Sequence, residues 1–110
     1  MNILEQLAAH AKERVALAEQ VCPPELIRQK ASRMEKGDGR FEEALKKPGL
    51  SFICECKKAS PSRGVIAEDF PYLRIAKEYQ AAGADAISVL TEPKWFLGSD
   101  RYLRVITEAV

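Results

Sequence analysis

The sequence predicts an α/β fold with a parallel sheet, forming the front end of a larger α/β domain. Three observations carry this. Apolar residues recur at three- and four-residue steps over the first 48 positions, then switch to period two at Ser51 to Lys57. Strand, helix, strand and helix patterns then alternate, which is how parallel sheets with right-handed crossovers are written in sequence. The last helical pattern reaches Ala109 and Val110 with no C-cap glycine and no following strand for the helix to cover. A chain of 110 residues holds one domain at most.

In the first segment Leu4, Leu7, Ala8, Ala11, Val15 and Ala18 form an amphipathic stripe, opened by Asn2 and Glu5 in capping-box spacing. Pro23 and Pro24 interrupt it. Leu26, Ile27, Ala31 and Met34 supply a second stripe ending at Gly37, Asp38 and Gly39, and Phe41 to Lys47 reads as a short helix closed by Pro48 and Gly49. The strand pattern SFICECK places Phe52, Cys54 and Cys56 on one face and Ile53, Glu55 and Lys57 on the other. S-P-S-R-G supplies turns. Asp69 then serves as N-cap and Pro71 as an early helical proline for a helix with Tyr72, Ile75, Ala76, Tyr79 and Ala82 on one stripe, stopped by Gly83. Ala86 to Leu90 is a short strand apolar enough to be buried on both faces. After the loop T-E-P-K-W-F-L-G-S-D, a helix from Ser99 or Asp100 carries Tyr102, Val105, Ile106 and Ala109.

The composition narrows the function. Seventeen basic and sixteen acidic residues are spread along the chain for a net charge of +1, which gives no field for a polyanion, so nucleic-acid binding is disfavoured. No apolar run approaches the roughly 18 residues of a membrane span, and Glu5 interrupts any signal-peptide core, so a cytoplasmic location is expected. Three cysteines, Cys22, Cys54 and Cys56, are an odd number and read as reduced, buried thiols. C-x-C is too short for the usual zinc pair and His10 is remote from it, so no metal site is expected. His10 reads as an exposed or capping-region residue of the first helix, without partners for chemistry.

Glu55 and Lys57, two apart at the C-terminal end of a strand, point to the same side of the sheet, where α/β barrels place reacting groups. A positioned cation with a partner carboxylate and a structural ion pair both account for that spacing. Ser88, on the next strand, reads as a serine satisfied by backbone.

The wording F-I-C-E-C-K-K-A-S-P-S-R-G, followed by D-A-I-S-V-L-T-E-P-K-W-F-L-G-S-D, resembles the first two strand-loop units of the indole-3-glycerol phosphate synthase family. The resemblance runs over essentially the whole chain. It implies an incomplete (β/α)8 TIM barrel of about two βα units at 49–110, preceded by an N-terminal helical extension at 1–48. It also implies a cofactor-free lyase of tryptophan biosynthesis, which closes the indole ring of 1-(2-carboxyphenylamino)-1-deoxyribulose 5-phosphate and releases carbon dioxide and water. By resemblance, Glu55 is the active-site glutamate of an E-x-K motif, and Lys57 holds substrate anions within an ion-pair network. Ser60 is a substrate contact and Phe96 an apolar wall for the anthranilate ring. A lysine at a strand end suits a carboxylate- and phosphate-bearing substrate, and an aromatic ring on a loop offers a stacking surface. Turn capping explains Ser60 as readily, and hydrophobic packing remains an alternative for Phe96 and Trp95.

The lysine acid and glutamate base that the resemblance places on the third and fourth barrel strands fall outside these 110 residues, so the chain alone is expected to be inactive. Open strand edges point to homo-oligomers. The competing readings are another phosphate-binding barrel, such as phosphoribosylanthranilate isomerase, and a non-catalytic association unit.

Overall fold

The computed structural model describes all 110 residues, in two compact units, Met1–Asp38 and Gly39–Val110. In the first, helix α1 (Ile3–Val21) begins at Asn2, whose Oδ1 accepts the Glu5 amide at 2.9 Å while the Glu5 carboxylate accepts the Asn2 amide at 2.9 Å. Two orphan donors are thereby satisfied reciprocally. The helix ends at Cys22, whose N–H donates to the Ala18 carbonyl at 2.8 Å. Helix α2 (Pro24–Ser32) follows with Pro24 in its first turn, where the missing N–H costs nothing. It is shorter than its stripe suggested, since Met34 lies beyond its end and is exposed. Neither helix contains a buried residue, and His10 is half-buried in mid-helix rather than exposed or at a cap.

The second unit opens with α3 (Arg40–Lys46). Strand β1 (Ile53–Cys56) pairs in parallel with β4 (Ala86–Val89), Ile53 opposite Ala86 and Glu55 opposite Ser88. Between them lie a small hairpin, β2 (Ala59–Ser60) with β3 (Gly64–Val65), and helix α4 (Tyr72–Ala81). Helix α5 (Asp100–Ala109) closes the unit, with the Ser99 hydroxyl accepting the Arg101 amide at 3.1 Å as its cap.

The core forms where α4 and α5 cover one face of the sheet. Cys56, Ala76 and Ile106 are 1%, 0% and 3% exposed, and Tyr79, Ile87 and Val89 pack around them. Ala76 lets α4 approach the strand closely, because only a methyl group stands between them. Phe70, Tyr72 and Tyr102 extend this core as an aromatic cluster, with Tyr72 and Tyr102 ring centroids 4.3 Å apart.

Three sequence expectations are corrected. The S-P-S-R-G segment is a hairpin rather than a plain turn: Ser60 and Pro61 carry type I turn chemistry, Gly64 takes φ +63°, and two-residue strands are too short for periodicity to register. Asp69 is not the N-cap of α4; Pro71 holds that position, its carbonyl accepting the Ile75 amide, after a tight Tyr72 N–H to Phe70 carbonyl bond of 2.8 Å. Ala82 and Ala109, expected on the two stripes, are exposed, so the α4 stripe ends at Tyr79 and Val110 packs against the core beyond α5.

Candidate functional site

Strand β1 has two chemically distinct faces. Cys56 on β1 and its register partner Val89 on β4 belong to the face that meets the helices, as does Cys54's partner Ile87, with Tyr79 of α4 packed against the same core. Period two therefore turns Glu55, with Ser88 opposite it, to the other face. Lys57, one residue past the strand, brings its Nζ to 3.2 Å from Glu55 Oε2. The side chains are 34% and 44% exposed. A pair so open to solvent contributes only about 0–1 kcal/mol to stability.

The backbone beneath this pair is held firmly. The Glu55 carbonyl accepts the Tyr79 hydroxyl at 2.8 Å, and the Cys56 carbonyl accepts the Leu90 amide at 3.1 Å. At the opposite end of the strands, Asp85 accepts the Phe52 amide at 2.8 Å and meets Lys47 Nζ at 2.8 Å, tying the end of α3 to the start of β1. Those two partners hold the Asp85 carboxyl below its usual pKa, Lys47 first. Burial pushes the Cys56 thiol up, with the Cys54 and Glu55 charges adding to it. The Tyr79 phenol is raised chiefly by burial as well.

Because β1 and β4 are parallel, the segments that follow them leave from the same end of the sheet. Ser60 and Phe96 lie in those two segments. Ser60 is buried, and its hydroxyl accepts the Arg63 amide at 3.2 Å, so it does close the hairpin turn; its proton and second lone pair are not consumed by that bond. Phe96 is half-buried in the loop between β4 and α5, where Lys94 Nζ stands 4.5 Å from the Trp95 ring centroid. Glu55 and Ser88 thus lie on one face with the Lys57 ammonium against Glu55, while Ser60 and Phe96 belong to the segments that follow β1 and β4.

Sequence reasoning passed over two residues that organise this end. In sequence Tyr79 is only a helix-stripe aromatic, whereas in the structure its hydroxyl donates to the Glu55 carbonyl and fixes the strand there. The Glu92 carboxylate gathers the amides of the 94–96 turn, and the only sequence signal for it is an acidic residue directly before Pro93. A groove of about 560 Å³ lies elsewhere, lined by Phe41, Ile87, Val89, Leu103 and Ile106 with Arg40, Glu43 and Asp85 also on its wall. It is mostly apolar and lies on the helix side of β4, away from the Glu55 face, and its Asp85 is already engaged by Lys47 and the Phe52 amide. No cluster of three or more His, Cys, Asp or Glu side chains is arranged to hold a metal, and no helix is long and apolar enough to cross a membrane.

Parallel strands covered by helices on one face, with a lysine and a glutamate at the carboxyl end of the first strand, define an α/β protein with a parallel sheet. The family model for indole-3-glycerol phosphate synthase matches residues 4–110, and the chain belongs to that family. It is 50% identical over 109 residues to the indole-3-glycerol phosphate synthase of Ruminiclostridium cellulolyticum, covering 98% of this chain and 42% of that protein. The same-named protein of Lachnoclostridium phytofermentans is 43% identical (98% and 44% covered), and that of Lactiplantibacillus plantarum 47% (98% and 41%). The chain therefore spans about two fifths of the length of the curated relatives it matches.

Proposed function

We propose that these residues supply the first two βα units of a (β/α)8 barrel, β1–α4 and β4–α5, with 1–48 as a helical extension and the face of Glu55 and Ser88 turned to the barrel interior. The activity to which they contribute is cytoplasmic indole-3-glycerol phosphate synthesis. The phosphorylated substrate 1-(2-carboxyphenylamino)-1-deoxyribulose 5-phosphate undergoes ring closure with loss of carbon dioxide and water, without a cofactor. The observation that carries this reading is the Lys57–Glu55 pair at the carboxyl end of β1, on the face away from the helices.

In that role Lys57 is the cation that receives a substrate anion, and Glu55 keeps the ammonium oriented while the site is empty. Neither charge is deeply buried, so the ammonium exchanges water for the substrate at little desolvation cost. Phe96 provides the apolar wall for the aromatic ring, and the remaining donor capacity of Ser60 is available to a polar substrate group. The acid and base expected on later strands are not among these residues, so turnover requires the rest of the barrel. The test is growth without tryptophan of a bacterium lacking the synthase. Co-expressing this chain with the part of the Ruminiclostridium cellulolyticum protein that follows the matched region restores growth, and neither piece does so alone. Growth on this chain alone, or none with both pieces present as a stable complex, overturns the reading.

A further inference from the structure

The loop from Thr91 to Gly98 is built around one carboxylate. Glu92 Oε1 accepts the Lys94 amide at 2.7 Å, and Oε2 accepts the amides of Trp95 at 2.7 Å and Phe96 at 3.0 Å. The Glu92 carbonyl then accepts the Gly98 amide at 2.8 Å, closing the loop on itself. Three consecutive N–H groups on an ionised carboxylate are charge-assisted bonds, the stronger kind, and they meet donors for which a loop has no ladder partner. The far end is fixed by sterics. A Cβ on Gly98 would lie 2.2 Å from the Leu90 carbonyl oxygen and 2.7 Å from Thr91 backbone atoms, so only glycine lets the loop close down on the end of β4. Leu97, at φ +50°, is the only non-glycine residue in the left-handed region, a conformation that persists only where its surroundings impose it.

We propose that Glu92 is a positioning residue: its carboxylate sets the backbone from Lys94 to Phe96 and thereby fixes the ring of Phe96 toward the substrate. Glu92 does not touch substrate in this scheme. The proposal rests on the reading of Phe96 as the wall of the aromatic site, and its test separates the two.

Amide hydrogen exchange on the 110-residue chain reads the loop directly. In Glu92→Ala, the amides of Lys94, Trp95 and Phe96 lose protection by about tenfold or more, the size expected for a lost charge-assisted bond, while the Leu90 amide stays as in the parent. Glu92→Gln gives a selective pattern. Its one carbonyl oxygen keeps Trp95 and Phe96 protected, and its amide nitrogen, facing another donor, leaves Lys94 unprotected. Should the alanine variant fail to fold, this pattern decides alone. Unchanged protection at all three amides, or equal loss at all three in Glu92→Gln, overturns the proposal. In the enzyme reassembled from two chains, Glu92→Ala raises KM more than it lowers kcat, and adding Phe96→Ala to it raises KM little further. Fully additive effects overturn the link through Phe96. If Phe96→Ala leaves KM unchanged while Glu92→Ala loosens the loop, the wall reading of Phe96 fails and the hold of Glu92 on the loop stands.

Discussion

Asp85 shows how much one side chain can organise. Its carboxylate joins the end of α3, the first amide of the strand region and the start of β4, and those partners lower its pKa. A carboxyl with a pKa lower in the folded chain than its unfolded value of about 3.9 gives stability that is present above that value and lost as pH falls through the folded one. There the unfolded chain binds more protons. Acid titration followed by circular dichroism should therefore show stability declining below about pH 4, with a shallower decline in Asp85→Asn; identical acid limbs would assign the decline to other carboxylates. Cys56 obeys the opposite logic. Burial raises its thiol, so iodoacetamide at pH 8 should label half-buried Cys22 and Cys54 well before Cys56, and first labelling of Cys56 would show that the core is not closed.

At the scale of elements, what could be read from sequence tracks how many residues repeat a pattern. Period two over seven residues suffices to separate Cys54 and Cys56 from Glu55, and the structure separates them in that way. The 3.6-residue stripe of α4 is legible through Tyr72, Ile75, Ala76 and Tyr79. The β2–β3 hairpin is not, because its register of two pairs offers no period, and its geometry comes from Pro61, Gly64 and the Ser60 hydroxyl. The cap of α4 is misread for a similar reason: Asp69 is a good capping type, but the Phe70–Tyr72 turn starts the helix later. Glu55 and Lys57 are legible in sequence as neighbours, whereas the bond from the Tyr79 hydroxyl to the Glu55 carbonyl joins residues 24 apart, which no local pattern encodes. Element packing gives its own prediction. Ala76 has no exposed surface and sits against Cys56 and Ile106, so Ala76→Leu should overpack the layer and lower stability by about 1–3 kcal/mol in urea unfolding. An unchanged midpoint would mean that α4 can move away from the sheet at no cost.

For the whole molecule, the balance between core and open edges matters most. The β1–β4 sheet has two strands, so each has one edge without a partner strand, and Phe52, Ile53 and Leu103 stay exposed around it. Unpaired parallel edges beside an apolar groove favour acquiring further strands. We expect the 110-residue chain alone to self-associate: sedimentation equilibrium should show mass rising with concentration above 12.3 kDa, and a single species at that mass throughout would contradict it. The segment that completes the barrel should suppress this association by occupying the same edges.

In the proposed site Lys57, held by Glu55 at the carboxyl end of β1, is the anion contact of the synthase. Turnover of 1-(2-carboxyphenylamino)-1-deoxyribulose 5-phosphate by the reassembled two-chain enzyme, parent against Lys57→Ala, tests it most directly. An exposed pair contributes little to folding, so the variant should assemble and melt as the parent does while kcat/KM falls by about 10²-fold or more. Parent-like turnover in a fully assembled Lys57→Ala enzyme would contradict the claim.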